Sequence, residues 1–334
     1  MKPMSRRAFI NKSGTVTASG MLLNPLNFST YYPMKNNQFD VIIVGGSYSG
    51  LSAAMALGRA LKKVLVIDSG KPCNRQTPHS HNFLTQDGVP PHQIAQLGRS
   101  QVEQYSTVEF FEGLATEGRK TDNGFEIGTS DGKRFTAKKL VFATGVKDLM
   151  PPIEGFSDCW GISILHCPYC HGYEVRGAKT GVLLDGEEAF EFSRFLTNWT
   201  KDLTLFTNGK TSLSPGQIQE LKSLGVQLEE REIEKIAHEK GYLKQLQFKD
   251  GTATPLTAMY AHIPFEQHCD IPMSLGVELD EQGYLAIDGM QKTSVEGIYA
   301  CGDNTTRMRT VANAVYMGAM TGMMLSKEMI LEEV

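Results

Sequence analysis

An unbroken apolar run, Val41-Ile42-Ile43-Val44 behind Phe39 and Asp40, opens the patterned part of the chain. Apolar runs without polar alternation belong to parallel strands covered on both faces, so residues 39–44 predict a buried strand. The run stops at Gly45-Gly46-Ser47-Tyr48-Ser49-Gly50. Ala-rich helical periodicity then extends from Leu51 to Leu61, and a second strand from Lys63 to Ile67 closes on Asp68. Between about Gly113 and Val146, turn signals at Asp122-Asn123-Gly124 and Asp131-Gly132 separate short alternating runs. That spacing predicts an antiparallel meander returning through a strand at Leu140–Ala143. Residues 180–184, 188–200 and 203–206 repeat the order strand, helix, strand. A further strand ends in Gly302-Asp303, and a long helix is predicted from about Thr310 to Glu332.

A chain of 334 residues exceeds one ordinary compact core, so two domains are the expectation. The pattern predicts an α/β fold of two Rossmann-like, three-layer domains: residues 37–152 with 269–334 form one, interrupted by the smaller 153–268. Hydrophobic content of 41%, charged content of 21% and 33 glycines suit many tight strand-to-helix turns. A net charge of −4 leaves no electrostatic footprint for nucleic acid, and no polybasic stretch suggests a membrane surface. Residues 1–36 read differently: Ser5-Arg6-Arg7-Ala8-Phe9-Ile10 and Lys12 precede a mild apolar stretch to Leu26. This resembles a twin-arginine export signal, with a disordered basic tail as the alternative. The stretch is too short and polar for a stable membrane span. The expected compartment is the bacterial periplasm or outside, with the cytoplasm as alternative.

Strand, glycine turn, helix, strand and acid follow one another in dinucleotide-binding order. Gly45 allows the sharp turn, Gly46 follows it, and Gly50 permits close packing of helix on strand. Backbone N–H groups at the helix start can then meet a pyrophosphate. Ser47 stands where most such turns have glycine, and Asp68 lies at the interval expected of an acid that accepts from ribose hydroxyls. A helix–sheet turn without a ligand is the bland alternative. Thr144-Gly145, closing the returning strand, and Gly302-Asp303, before the long helix, weigh against it.

Of six cysteines, only Cys167 and Cys170 are spaced to act together. Cys73, Cys159, Cys269 and Cys301 are expected to be buried small hydrophobes. In His166-Cys167-Pro168-Tyr169-Cys170-His171, Pro168 suits the first helical position, and a thiol at a helix start is stabilised as thiolate. Zinc would need four ligands and no second pair exists, so no metal is expected. A glutaredoxin-type module would place the pair after the first strand of a small domain. A structural disulfide stays open as an alternative.

The order of these pieces, with Asn82-Phe83-Leu84, resembles the low-molecular-weight thioredoxin reductase family over nearly all of residues 38–330. The resemblance implies that the bound nucleotide is FAD and that the protein is a homodimer. It also implies that Asp303 binds the ribityl or pyrophosphate side, that Arg309, Thr310 and Val311 lie beside the isoalloxazine, and that Asn82 contacts the flavin face. Cys170 would face the flavin, and Cys167 would exchange with substrate sulfur. His171 matches the position of an acidic residue in that family and can move protons to and from the thiols.

The second unit departs from that family. Where a glycine-rich turn for NADPH belongs, the chain reads Leu184-Asp185-Gly186-Glu187-Glu188, and the next strand ends in Thr207-Asn208-Gly209-Lys210 without an Arg pair. A pyrophosphate there would face like charges, so NADPH binding is doubtful. Gly-Gly-Ser-Tyr and Cys-Pro-Tyr-Cys-His-Gly-Tyr-Glu resemble flavin-dependent dithiol oxidases of the gliotoxin and holomycin type. The expectation is an FAD-dependent oxidation of a small-molecule dithiol or a thioredoxin-like protein. The alternatives are a thioredoxin-reductase-like enzyme fed by NAD(P)H or another donor, and a flavin-bound redox sensor.

Overall fold

The first apolar run becomes the middle of a seven-stranded sheet, and the rest of that layer is ordered around it. The computed structural model describes residues 37–334, so the twin-arginine reading lies outside the described residues. Along the chain, β1 (Gln38–Val44), α1 (Tyr48–Arg59) and β2 (Val64–Asp68) follow the predicted order. The helix starts earlier than its apolar pattern because Tyr48, Ser49 and Gly50 form its first turn. Next come α2 (Pro91–Val102) and β3 (Val108–Glu112). The meander consists of β4 (Ala115–Thr121), β5 (Gly124–Thr129) and β6 (Arg134–Phe142), turning where the Asn-Gly and Asp-Gly signals stand.

A short β7 (Val146–Asp148) carries the chain out of this sheet to α3 (Phe156–Cys159), β8 (Ile164–Leu165) and α4 (Pro168–His171). Then β9 (Thr180–Leu183), α5 (Gly186–Leu196), β10 (Leu203–Phe206), α6 (Pro215–Ser223) and β11 (Gln227–Glu229) alternate. A three-stranded antiparallel sheet of β12 (Ile233–Glu239), β13 (Tyr242–Phe248) and β14 (Ala253–Pro255) follows, then β15 (Ala258–Ala261). The chain returns through β16 (Phe265–Gln267), α7 (Ile271–Ser274), β17 (Ile298–Ala300) and α8 (Val311–Glu332).

Strand order in the first sheet is β3-β2-β1-β6-β5-β4. The C-terminal half of β6, Leu140–Phe142, pairs instead with β17, in parallel. The second sheet, β11-β10-β9-β15-β8, is parallel throughout. Its strand β15 alternates as a doubly covered strand must: Met259 and Ala261 join the core beneath the three-stranded sheet, while Tyr260 joins the core beneath α5 and α6. Both outgoing and returning connections run through one ladder, β7 against β16, with Asp148 opposite Phe265. Among the described residues no helix is long and apolar enough to cross a membrane.

Helix α8 closes over α1 at small residues. A Cβ on Gly318 would lie 2.0 Å from the Ser49 carbonyl oxygen, and one on Gly322 would lie 2.6 Å from that of Ala53. This close approach sets the start of α8 beside the glycine turn. Gly318→Ala is therefore expected to destabilise the fold by about 1–3 kcal/mol through overpacking, a loss that chemical denaturation followed by far-UV circular dichroism would measure.

Candidate functional site

Two adjoining cavities, of about 410 and 90 Å³, lie along the ends of β1, β6 and β17. They share Asp148, Trp160, His166 and Arg309 as a common wall. The larger is lined by Ser47, Thr144, Gly145, Asp303, Arg309, Thr310 and Val311 among others, and the smaller by Cys170 and His171. The fold thus gathers into one cleft residues predicted from three separate stretches of sequence.

The glycine turn is built as a cradle. Gly45 has φ +103°, and a Cβ there would stand 2.3 Å from the Ala143 carbonyl oxygen; a Cβ on Gly50 would stand 1.9 Å from that of Gly45. Only glycine lets the backbone close this tightly. Ser47 is the N-cap residue of α1 and its side chain makes no capping bond, so the first-turn N–H groups of α1 are left facing the cleft. Asp68 sits beside the turn, its Cβ 2.8 Å from where a Cβ of Gly46 would be. Gly302, at φ +91°, leaves room for the Ser49 side chain. Asn82 stands apart from this group: it is exposed, outside both cavity linings, and at φ +59° its N–H donates to the Asp87 carboxylate at 2.8 Å. Its short polar side chain tolerates the left-handed conformation of that loop.

The deep wall of the cleft is charged. Arg309 Nη1 and Nη2 donate to the two oxygens of Asp148 at 2.7 and 3.1 Å, and Trp160 Nε1 donates to Asp148 at 3.0 Å. Arg309 Nε lies 3.7 Å from Asp303 and has no hydrogen-bond partner; buried His166 Nε2 has none either. Burial pushes the Asp303 carboxyl up to about 6 against the pull of Arg309. Burial, then the charge of Arg309, pushes His166 down to about 4, so this ring is neutral at ordinary pH. Sequence reasoning missed Asp148 and Trp160. Their only signal was a lone acid and a lone indole in short irregular segments on either side of the domain crossing.

Cys167 precedes the single turn of α4 with Pro168 at its first position. Its thiol is pulled down to about 7, first by the hydrogen bond from the Cys170 thiol and then, against burial, by the backbone N–H groups of Cys170 and Tyr169. Cys170, the donor of that bond, is pushed up. The attacking thiolate is thereby placed on Cys167, and Cys170 holds the proton. His171 is driven to about 4 by burial and then by neighbouring His81, leaving a neutral imidazole able to accept a proton. The His81 ring lies 3.6 Å from Glu174 and 3.7 Å from Asp87, carboxylates that open to solvent. Cys159 and Cys301 are fully buried and Cys269 half-buried, as expected of small hydrophobes. Cys73 corrects that expectation: it is exposed on the cleft wall, 3.8 Å from Asp303, because the segment after β2 is irregular and runs along the cavity.

At the corresponding end of the second sheet the start of α5 carries carboxylates that bond within the chain. Asp185 accepts from the Thr211 hydroxyl at 2.8 Å and the Ser212 N–H at 3.0 Å. Glu187 accepts from Gln217 at 2.7 Å, and Glu188 holds His262 and Arg307, each at 2.9 Å. Three carboxylates, each internally partnered, stand at the start of α5.

The pyridine nucleotide-disulphide oxidoreductase model matches residues 39–318. The chain is 32% identical over 306 residues to the thioredoxin reductase tcpT of Claviceps purpurea (strain 20.1), covering 88% of this chain and 95% of that protein. It is 31% identical to the thioredoxin reductase aclD of Aspergillus oryzae, covering 88% and 98%. Among solved structures, an oxidoreductase from Agrobacterium tumefaciens aligns at a TM-score of 0.82 with 38% identity, covering 89% of this chain and 100% of that one. The structure of HlmI aligns at 0.83 with 29% identity, covering 89% and 94%. FAD is the cofactor bound in this family, and the cradle, Asp68 and the unpartnered donors of the cleft wall fit it.

The thiol asymmetry gives a pH test. Iodoacetamide alkylation of Cys167 should rise with a midpoint near 7, below the ordinary thiol value of 9.0. In Cys170→Ala the donor is lost and the midpoint should move upward. Alkylation rates across pH 5 to 10, with mass-spectrometric site assignment, check both.

Proposed function

The chain belongs to the pyridine nucleotide-disulphide oxidoreductase family, and we propose that within it this protein oxidises dithiols to disulfides through Cys167 and Cys170. The observation that carries this reading is that Asp185, Glu187 and Glu188 stand internally partnered at the start of α5. An NAD(P)H pyrophosphate there would meet three negative charges and would have to break their bonds.

In the disulfide form of the pair, a substrate thiolate attacks Cys167 Sγ, the Cys167–Cys170 bond breaks, and Cys170 leaves as thiolate. The second substrate thiol attacks the mixed disulfide and releases Cys167. The substrate has then lost two electrons and two protons, and the pair has gained two electrons. His171, neutral and in the same cavity as Cys170, would pass the proton shed by the substrate on to the departing Cys170 thiolate. FAD held in the cleft would supply the two-electron acceptor for the reduced cysteines, with oxygen or another compound as the final acceptor.

Gly45, Gly46, Ser47, Gly50, Asp68, Thr144, Gly145, Gly302, Asp303, Arg309, Thr310 and Val311 would hold the cofactor; Asn82, outside both cavity linings, would not. The inserted stretch 153–268 carries the cysteine pair, and 37–152 with 269–334 carries the cofactor cleft. Export through the twin-arginine leader, into a space without NADPH, and homodimerisation belong to the same reading. A small dithiol or a thioredoxin-like protein is the substrate class. The second reading is a thioredoxin-reductase-like enzyme, favoured by the names that the fungal relatives carry.

Purified FAD-loaded protein mixed anaerobically with dithiothreitol should lose its flavin absorbance. Admitting air should restore it and form peroxide, whereas NADPH should bleach it at least a hundredfold more slowly. Rapid bleaching by NADPH would overturn the oxidase reading.

A further inference from the structure

The two sheets are joined covalently only by β7 and β16, a ladder of three residue pairs, so their mutual setting depends on side chains that cross the junction. One of these is Asp148, at the end of β7, with its side chain 8% exposed. Its Oδ1 and Oδ2 take the two Nη groups of Arg309, which belongs to the loop before α8 on the cofactor side. Oδ2 also takes the indole N–H of Trp160, which follows α3 on the cysteine side. Trp160 is 5% exposed, stacks on Phe156 at 5.8 Å and lies 6.0 Å from the ring of His166, the residue before Cys167. A rigid path therefore runs from Arg309 through Asp148 and Trp160 to the segment that carries the thiols.

We infer that Asp148 is a positioning residue that fixes the cysteine-bearing segment against the cofactor cleft, so that Cys170 lines the cavity shared with Arg309. The inference rests on the reading that Cys170 faces the cofactor. The exposed bridge of Glu188 to Arg307 also crosses the junction, but exposed pairs are worth little. Asp148 is instead largely shielded, and losing it leaves the Arg309 guanidinium without its bidentate partner and the indole N–H without an acceptor.

The test uses the full chain in a Cys167→Ser background, where Cys170 is the only thiol of the pair. Alkylation by N-ethylmaleimide is followed site by site by mass spectrometry, with half-buried Cys269 as internal control. Asp148→Ala is expected to raise the Cys170 rate at least fivefold while Cys269 changes less than twofold. In a Trp199→Phe background, where Trp160 is the sole indole, its emission should shift to the red. A Cys170 rate raised less than fivefold, or a parallel rise at Cys269, overturns the inference, since the second pattern is general loosening. If Asp148→Ala does not fold, Trp160→Phe, which keeps an aromatic side chain and removes the indole N–H, decides by the same thresholds. No turnover is involved, so failure here does not bear on the direction of electron flow. Bleaching by NADPH, in turn, would leave this result standing.

Discussion

The carboxylate of Asp148, its side chain 8% exposed on the wall of the cleft, accepts three hydrogen bonds: two from one guanidinium and one from an indole. Burying an ion pair is expensive, and it persists only where geometry satisfies every donor and acceptor. Here the geometry is bidentate on one side and directional on the other, so the pair specifies an arrangement more than it adds stability. Removing one partner of such a pair typically costs about 3–5 kcal/mol because the other charge is left uncompensated. That asymmetry makes the setting of the two sheets discrete, although the backbone ladder between them is short.

The remaining electrostatics of the cleft follow from the same wall. Arg309, held by Asp148, lowers the proton affinity of His166 and counters the burial of Asp303. The histidines on either side of the cysteine pair are both held neutral by burial, and Arg309 is the cation that lines the same cavity as Cys170. Cys167 draws its acidity locally, from Cys170 and two backbone N–H groups. Cys170 also feels the cofactor side: its bond to Cys167 and its burial push its thiol up, and the charge of Asp303 adds to them. The carboxylates at the start of α5 are satisfied by Thr211, Ser212, Gln217, His262 and Arg307.

Much of the fold was legible along the chain because burial on both faces removes polar alternation. β1, β2 and the end of β6 read as apolar runs, and the glycine turn between the first two announces itself by spacing. Helix α2 was not legible, since its exposed face is broken by Pro, His and Gln and only Ile94, Val102 and the leading Pro91 are buried. The three-stranded sheet at β12–β14 was also missed, because its charged alternation resembles a solvated surface until Leu243, Leu246 and Phe248 are seen packed on the second sheet. Cys73, expected inside, lies on the cleft wall because no strand or helix pattern governs its segment.

By itself the sequence determined what depends on neighbours along the chain. The Gly45–Gly50 turn, the acid at Asp68, the Cys167–Cys170 spacing and the acidic start of α5 all draw their chemistry from adjacent residues. Tertiary structure alone decided that Asp148, Trp160 and Arg309 meet, and that His81 approaches His171. These contacts join residues far apart in sequence, and their partner choice depends on how two sheets are set across one short ladder, which no local periodicity encodes. Ion pairing and indole donation carry no sequence period, so the groups that hold the cysteines to the cleft stay invisible until the chain is folded.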